Sequence, residues 1–216
     1  DVLTSRGLGD VYKRQTLEGS EGVGKTTNID FVCQLLETNN VPYIRTREPG
    51  GTPLAEALRD AMLAVREEQV SGMTELLLVF AARMQHLDCV IRPALAQGMW
   101  VVCDRFTDAS YAYQGYGRGL KLERIAALEQ WVQDGLQPDL TLLLDLAPDL
   151  AQQRMLERTK DRMESEQLEF YQRVRAGYLT RAAADEGRFR VIDAKKTIDQ
   201  VAAAIETHIA DLIRRW

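Results

Sequence analysis

The segment 19–27 carries the strongest chemical signal in the chain, because it reads Gly-Ser-Glu-Gly-Val-Gly-Lys-Thr-Thr. It fits the pattern G-x-x-x-x-G-K-[ST], in which glycines let successive backbone N–H groups point inward at an anion. The Lys25 side chain can reach the outer phosphates of a nucleoside triphosphate, and the Thr26 hydroxyl can bind Mg²⁺. A plain glycine-rich turn is the alternative, but residues 25–36 continue as an amphipathic helix whose N-terminus favours a phosphate.

A second candidate site is Asp104-Arg105-Phe106, which directly follows the apolar segment Trp100–Cys103. If that segment is a strand of a parallel sheet, these residues lie at the edge where such sheets bind ligands. A carboxylate there can hold Mg²⁺ or its waters, and a planar guanidinium can bind a phosphate. A surface ion pair or a helix cap is the alternative, and the position at the strand end favours the functional interpretation.

The segment 46–52, Thr-Arg-Glu-Pro-Gly-Gly-Thr, is expected to form a tight loop at the same edge of the sheet. A purely structural turn would explain its proline and glycines, but it says nothing about Arg47 and Glu48.

Three arginines spaced by four, Arg154, Arg158 and Arg162, would lie along one face of a continuous helix. A solvated face paired with neighbouring acidic residues is the simpler interpretation. Beside a phosphate loop, however, an Arg-rich segment between two helices is typical of a lid that closes over a nucleotide.

Short apolar strands alternate with helices, which predicts an α/β fold with a parallel sheet covered on both faces. Besides the strand that feeds the phosphate loop, the predicted strands are 41–46, 100–103, 140–146 and 189–192. The predicted helices are 25–36, 53–65, 74–97, 122–134, 148–158, 166–185 and 198–215. With no repeat or long linker, the pattern predicts one domain.

The composition excludes several classes of protein. A net charge of −5 over 216 residues, with acidic and basic residues well mixed, argues against a general nucleic-acid binder. The three cysteines and two histidines are too few and too scattered for a zinc site or a disulfide framework. No apolar run approaches the roughly 18 residues of a membrane helix, and no secretory signal is visible. We therefore expect a cytoplasmic protein with neither nucleic-acid nor membrane partners.

The start of the chain does not suit the central strand that a phosphate loop requires. Lys13, Arg14 and Gln15 are long polar residues where a strand buried on both faces should be apolar. Either this is an unusually polar strand, or foreign sequence has replaced the native start. The string 10–15 is similar to translated sequencing-adapter sequence, so we favour replacement. We expect residues 1–15 to be non-native or disordered and 16–216 to form the domain.

Taken together in order, these segments resemble bacterial thymidylate kinases, which are P-loop nucleoside monophosphate kinases. The resemblance runs from Thr16 to the C-terminus. Its other motifs are Phe-Ala-Ala-Arg at 80–83 and the residues that follow Asp104 as far as Gln114. It implies a P-loop NTPase fold with a five-stranded parallel sheet flanked by helices on both faces, a short Arg-rich lid, and a homodimer. It also implies transfer of the γ-phosphoryl of ATP to dTMP with Mg²⁺, which gives dTDP and ADP.

The resemblance assigns roles to individual residues. The implied ATP-binding residues are Gly19, Ser20, Glu21, Gly22, Val23, Gly24, Lys25, Thr26 and Thr27. The implied dTMP-binding residues are Arg47, Pro49, Phe80, Arg83, Arg105, Ser110, Tyr113 and Gln114. The implied catalytic residues are Lys25, Arg105, Arg158, Arg162 and Glu21, and those implied for the metal are Thr26 and Asp104. Phe80 would stack on thymine, Arg83 would hydrogen-bond it, and Tyr113 would press against the sugar. The lid is shorter than the family pattern, which leaves open which arginine reaches the γ-phosphoryl.

Three alternatives remain open at this point. Another nucleoside monophosphate kinase or a deoxynucleoside kinase would share the loop and the lid, but segments 80–83 and 110–114 favour thymidylate. A nucleotide-dependent switch or ATPase would need no phosphoryl acceptor, and the guanine-reading Asn-Lys-x-Asp segment of GTPases does not occur here. A nucleotide-binding module inactivated by an altered N-terminus is the third.

Overall fold

The computed structural model describes residues 14–154 and 161–214. Their centre is a sheet of five strands in the order β2-β3-β1-β4-β5, and every neighbouring pair is parallel. The strands are β1 Arg14–Glu18, β2 Tyr43–Arg47, β3 Trp100–Asp104, β4 Leu140–Asp145 and β5 Phe189–Asp193. The predicted fold class is confirmed, and because all strands run the same way, their carboxyl ends share one edge.

Helices cover both faces of the sheet, as a parallel sheet requires. They are α1 Lys25–Thr38, α2 Pro53–Leu63, α3 Gly72–His86, α4 Arg92–Ala96, α5 Thr107–Ser110, α6 Leu122–Gln133, α7 Pro148–Gln153, α8 Leu168–Ala184 and α9 Ile198–Arg214. One core cluster lies between the sheet and α1 with α9, through residues such as Leu142 and Ile205. Two others lie on the opposite face, around Phe106 and around Tyr178.

Two predicted helices differ from the observed ones. The segment 74–97 is not one regular helix, because a π-helical turn, Leu87–Ile91, separates α3 from α4. Pro93 has no N–H to donate to the preceding turn, and a wider turn accommodates that loss. The helix predicted over 148–158 ends at Gln153. Arg154 is its C-terminal cap, so Arg154 and Arg162 do not share one continuous helical face.

The polar residues at the start of β1 are buried. Arg14 is 1% exposed and Gln15 is fully buried. The three guanidinium nitrogens of Arg14 and both amide atoms of Gln15 have no hydrogen-bond partner among the described residues. The guanidinium lies 4.2 Å from the centroid of the Phe106 ring, and burial lowers the pKa of Arg14 to about 10. The group therefore stays charged at neutral pH inside the sheet, which is an unfavourable arrangement.

Replacing these two residues by apolar ones is therefore expected to stabilise the fold. The double variant Arg14→Ile, Gln15→Val should raise the melting temperature by several degrees, since relief of one unpaired buried charge is worth several kcal/mol (~1 kcal/mol shifts Tm by about 2–4 °C at this size). Arg45→Ile on β2 is a matched control, because Arg45 is exposed and paired with Asp30. An unchanged or lower melting temperature for the double variant would mean that these polar residues suit the strand as it stands.

Candidate active site

The phosphate loop connects the central strand β1 to α1 at the shared edge of the sheet. Gly19 has φ +139, and a Cβ there would lie 2.7 Å from the Leu144 carbonyl oxygen, so only glycine fits. Gly24, with φ +90, precedes the first turn of α1. This places the N–H groups of the loop and of the helix N-terminus around one cavity, as anion binding requires.

Lys25 is held inside the loop. Its Nζ donates to the carbonyl oxygens of Gly19 at 3.2 Å and Ser20 at 2.8 Å, and it lies 3.9 Å from the Glu21 carboxylate. Burial and the charge of Arg105 lower the pKa of Lys25. Its two hydrogen bonds go to main-chain carbonyls and Glu21 is more distant, so the ammonium is available to a phosphate placed over the loop.

Arg105 links the phosphate loop to a second cavity. Its Nη2 donates to Glu21 Oε1 at 2.5 Å and to the Tyr113 hydroxyl at 2.9 Å. Burial would raise the pKa of Glu21, but Arg105 and Lys25 outweigh it and lower that pKa to about 2. Glu21 is therefore ionised, and the three side chains form a charged group between the two cavities.

The backbone of Arg105 is strained, and Glu18 fixes the chain just after it by accepting a hydrogen bond from the Phe106 N–H. Arg105 has φ +66, which is rare for a residue with a side chain. The Arg105 N–H donates to the Leu17 carbonyl at 3.0 Å, and the Phe106 N–H donates to Glu18 Oε1 at 2.7 Å. The Tyr178 hydroxyl donates to the other oxygen of Glu18 at 3.0 Å. Sequence analysis missed Glu18, whose only signal was an acidic residue inside a buried strand.

Thr26 and Asp104 line a common cavity at the ends of α1 and β3. Asp104 Oδ1 is buried and has no hydrogen-bond partner among the described residues. Mg²⁺ prefers oxygen ligands and takes few from the protein when nucleotide phosphates and waters supply the others. A hydroxyl and an unpartnered carboxylate oxygen facing the phosphate loop therefore fit this ion.

The second cavity lies between α2, α3 and the segment after β3. Most of the residues predicted for dTMP line it, namely Pro49, Arg83, Arg105, Ser110, Tyr113 and Gln114. Arg83 is 1% exposed, donates through Nε to Glu48 at 2.6 Å and through Nη2 to Ser110 at 3.0 Å. Its Nη1 is buried and has no partner among the described residues. Nη1, with its two N–H groups, is thus left without a partner at the edge of a polar and aromatic cavity that Arg83 lines.

The position of Phe80 differs from the one predicted for it. It does not line this cavity; its ring lies 4.5 Å from the Arg83 guanidinium and faces an apolar groove between α3 and α6. Val79 and Phe106 line the cavity instead. Val79 and Phe80 precede Arg83 by four and by three residues, so both lie near it on α3, but they are about 100° apart around the helix axis and only Val79 lines the cavity. The prediction that Phe80 stacks on the base therefore has no geometric basis here.

Arg59 on α2 is a second residue that sequence analysis missed. It lines both the phosphate-loop cavity and the second cavity, and its Nη1 donates to the Pro49 carbonyl at 3.0 Å. Burial, with the nearby charges of Arg47 and Arg105, lowers the pKa of Arg59. Three clustered guanidinium groups repel one another, and an anion between them would relieve that repulsion. An isolated arginine in an amphipathic helix gave no signal of this.

Arg47 lies on the phosphate side of the site. It lines the cavities of Thr26 and Asp104 but not the second cavity, and its guanidinium pairs with Glu56 at 2.8 Å. Its side chain is half exposed, at 53%. Arg47 therefore lines the phosphate-loop side of the site rather than the second cavity.

Of the three arginines of the predicted lid, the structure describes Arg154 and Arg162, and these two contact different parts of the molecule. Arg154 lines the phosphate-loop cavity and donates to the Ala194 carbonyl at 3.1 Å. Arg162 donates to buried Glu75 at 2.6 Å and to the Met62 carbonyl at 2.8 Å, which holds it against α3 and α2. Arg158 lies outside the described residues. In this conformation, Arg162 is engaged away from the phosphate loop.

Comparison with known proteins identifies the family. A family model described as thymidylate kinase matches residues 17–205. The thymidylate kinase of Chromohalobacter salexigens is 54% identical over 204 residues, which cover 93% of this chain and 96% of the relative. Those of Pseudomonas syringae pv. syringae and Marinomonas sp. are 54% and 48% identical, each over 92–93% of this chain and 95% of the relative.

The chain belongs to the thymidylate kinase family. The predicted family is therefore confirmed, and the five-stranded parallel sheet agrees with it. Among the described residues, no helix is long and apolar enough to cross a membrane.

Proposed function

We propose that this chain transfers the γ-phosphoryl of ATP to dTMP through the residues described above, with Mg²⁺, in the cytoplasm. Membership of the family confirms the predicted activity, an ATP-dependent kinase of dTMP. The observation that carries the assignment to this site is the junction at Arg105. This side chain lines the second cavity and touches both the phosphate loop and Tyr113, so one guanidinium lies where donor and acceptor would meet.

The proposed roles follow from the charges at this junction. The transferring phosphoryl spreads negative charge over its oxygens, so positioning and positive charge supply most of the catalysis. Lys25 and the loop N–H groups would hold the ATP phosphates, while Arg105 and Arg59 would hold the dTMP phosphate. Mg²⁺ at Thr26 and Asp104 would neutralise charge on the outer phosphates. The acceptor is already an oxyanion, so no strong general base is needed.

The lid residues keep their proposed role at the transferring group. Arg158 is the stronger candidate, because Arg162 is tied to Glu75 in this conformation. Closure over bound nucleotide would exclude water and so limit ATP hydrolysis.

The test of the proposed function is an ADP-release assay with ATP and Mg²⁺, run with dTMP, with each other nucleoside monophosphate, and with no acceptor. We expect turnover to require dTMP. ADP release at the same rate without any acceptor would identify an ATPase instead. Equal turnover with every monophosphate would identify a broader kinase.

The position of Phe80 leads to a paired prediction. Val79→Asp puts a charge into the proposed pyrimidine cavity, and we expect it to raise the KM for dTMP by at least about tenfold, since a desolvated charge would face the base. Phe80→Leu removes an aromatic ring on the other side of α3, and we expect the KM to change less than about threefold. Steady-state kinetics with dTMP as the varied substrate checks both. A larger KM effect from Phe80→Leu would show that this ring contributes to base binding, either by stacking or through the Arg83 guanidinium against which it packs.

We propose that the apolar groove between α3 and α6 seats a second copy of the chain. Its lining residues are Leu77, Phe80, Ala81, Met84, Leu128, Trp131 and Val132. Trp131 is 79% exposed and Leu77 is 50% exposed, which is unusual for large apolar side chains that lie together. A two-fold axis through such a face would bury both copies of the groove at once.

The oligomeric state tests this proposal. Trp131→Glu should convert the dimer into a monomer in size-exclusion chromatography with light scattering, because a charge at the centre of an apolar interface is costly. Val65→Glu is the matched control, since Val65 is 75% exposed but lies after α2, away from the groove. A dimer that persists in Trp131→Glu, or that is lost in Val65→Glu, would place the interface elsewhere.

A further inference from the structure

A chain of hydrogen bonds links the end of β2 to the cavity through the last turn of α3. The Thr46 hydroxyl lies 2.6 Å from His86 Nε2, and His86 Nδ1 lies 3.1 Å from Glu48 Oε1. The other oxygen of Glu48 accepts from Arg83 Nε at 2.6 Å, and Arg83 Nη2 donates to Ser110 at 3.0 Å. The side chains of Glu48, Arg83 and His86 are each at most 2% exposed.

The charge of Glu48 fixes the direction of these bonds. Burial would raise the pKa of Glu48, but Arg83 and His86 outweigh it and lower that pKa. An ionised carboxylate only accepts hydrogen bonds, so His86 must donate through Nδ1. In the neutral imidazole, Nε2 is then the acceptor, and the Thr46 hydroxyl donates a hydrogen bond to it. Each polar atom of His86 and Glu48 thus has one specific task.

These contacts fix the Arg83 guanidinium. Its Cζ lies 4.5 Å from the centroid of the Phe80 ring and 5.0 Å from that of the Phe106 ring. Two of its three nitrogens are bound to Glu48 and Ser110, which leaves Nη1 as the donor without a partner among the described residues. The bond to Glu48 is the charge-assisted one, so Glu48 determines which edge of the guanidinium faces the cavity.

The same contacts fix the loop after β2. Gly51 has φ +85, and a Cβ on it would come within 2.5 Å of the His86 ring. The imidazole therefore packs against Gly51 of this loop. It is hydrogen-bonded to Thr46 in β2 and to Glu48 in the loop. Pro49 in the loop lines the cavity, and Arg47 lines the phosphate side.

We propose that Glu48, which lines the edge of the cavity, and His86, which does not, are positioning residues that hold Arg83 in the one orientation in which its unpartnered nitrogen binds the pyrimidine, and that this pair determines base specificity through Arg83. The inference rests on the proposed function, in which dTMP occupies the cavity. It predicts that disturbing either residue weakens base discrimination while phosphoryl transfer itself is largely kept.

Glu48→Gln is the first test. Glutamine keeps the shape, but it is neutral, so the bond from Arg83 Nε loses its charge assistance and the buried guanidinium loses its counter-ion, while His86 keeps a partner only by changing tautomer. We expect kcat with dTMP to fall less than about threefold and KM to rise about tenfold or more, since interactions with the base contribute equally to ground and transition states. The ratio of kcat/KM for dTMP over dCMP should fall at least tenfold. A ratio within threefold of the parent would overturn the proposal.

His86→Asn and His86→Gln form a matched pair that keeps the proposal testable if Glu48→Gln does not fold. The amide nitrogen of asparagine stands in for Nδ1 and keeps the bond to Glu48, whereas that of glutamine stands in for Nε2 and keeps only the Thr46 end. We expect His86→Asn to keep the dTMP over dCMP ratio within about threefold, although it leaves the larger void. His86→Gln should lower the ratio at least tenfold. Equal losses in both would show that His86 only fills space.

The dTMP over dCMP preference of the parent protein distinguishes a failure of the proposed function from a failure of the positioning role. A parent that does not prefer dTMP over dCMP would contradict the proposed function itself. If the parent does prefer dTMP and the variants melt cooperatively with an unchanged ratio, only the positioning role is overturned.

Discussion

Lys25→Ala should reduce kcat/KM by a factor on the order of 10³ or more while leaving the fold intact. The Lys25 ammonium is buried in the phosphate loop and is held only by the carbonyls of Gly19 and Ser20 besides the more distant Glu21. Its removal takes a preorganised positive charge from the place where phosphoryl charge develops, and one such group is typically worth about 10²–10³ or more in rate. The fold should survive, because the charge that is removed is partly desolvated.

The measurement is steady-state ADP release with dTMP, together with thermal melting to show that the variant is folded. Lys121→Ala is the control, since Lys121 is an exposed residue that precedes α6, remote from the loop in the fold. We expect it to keep kcat/KM within about twofold. A Lys25→Ala variant within about tenfold of the parent would remove Lys25 from the catalytic group.

Most of the fold follows from local pattern. The apolar run of β4 and the Trp-Val-Val-Cys of β3 are buried on both faces, which is why a sequence reading finds them without knowledge of their neighbours. The phosphate loop is equally local, since its function depends on backbone conformation that glycines at fixed spacing make possible. The sheet edge then brings Asp104 and Arg105 to the loop by topology alone.

The remaining features depend on contacts between distant segments. A helical pattern does not reveal which of Val79 and Phe80 faces a cavity when both are apolar, and here Val79 does. Arg59 and the Glu75–Arg162 pair are ordinary charged residues until tertiary structure brings their partners close. The same holds for His86, which a composition count treats as one of two scattered histidines and which the fold places between Thr46 and Glu48.

At the start of β1, local pattern predicts the wrong structure. Local pattern argues against Arg14 and Gln15 in a central strand, yet both pair with β3, in register with Val101 and Val102. Pairing of the backbone with two neighbouring strands overrides side-chain preference, and the unpartnered polar atoms show that this arrangement leaves them unsatisfied.

Acceptor selectivity is expected to be the largest effect of all, with dTMP preferred over dCMP by roughly 10⁴-fold in kcat/KM. The free Nη1 of Arg83 is a donor, and it suits the carbonyl oxygen of thymine. Cytosine presents an amino group at that edge, so two buried donors would face each other unpaired, and sites built on hydrogen bonds reject such analogues by about 10⁴–10⁵. The donor is fixed by Glu48 and Ser110 and cannot turn away at low cost.

Other acceptors should be rejected by smaller or different margins. Uracil lacks only a methyl group, which is worth roughly 10- to 200-fold in an apolar pocket, so dUMP should be slower but measurable. Tyr113 is 4% exposed, and Arg105 donates to its hydroxyl, so it cannot easily yield to the 2′-hydroxyl of a ribose. The ribose form of TMP should therefore be a poorer substrate than dTMP. The measurement is kcat/KM for each acceptor with ATP and Mg²⁺, and a chain that uses dCMP or dGMP as well as dTMP would not read the base through Arg83.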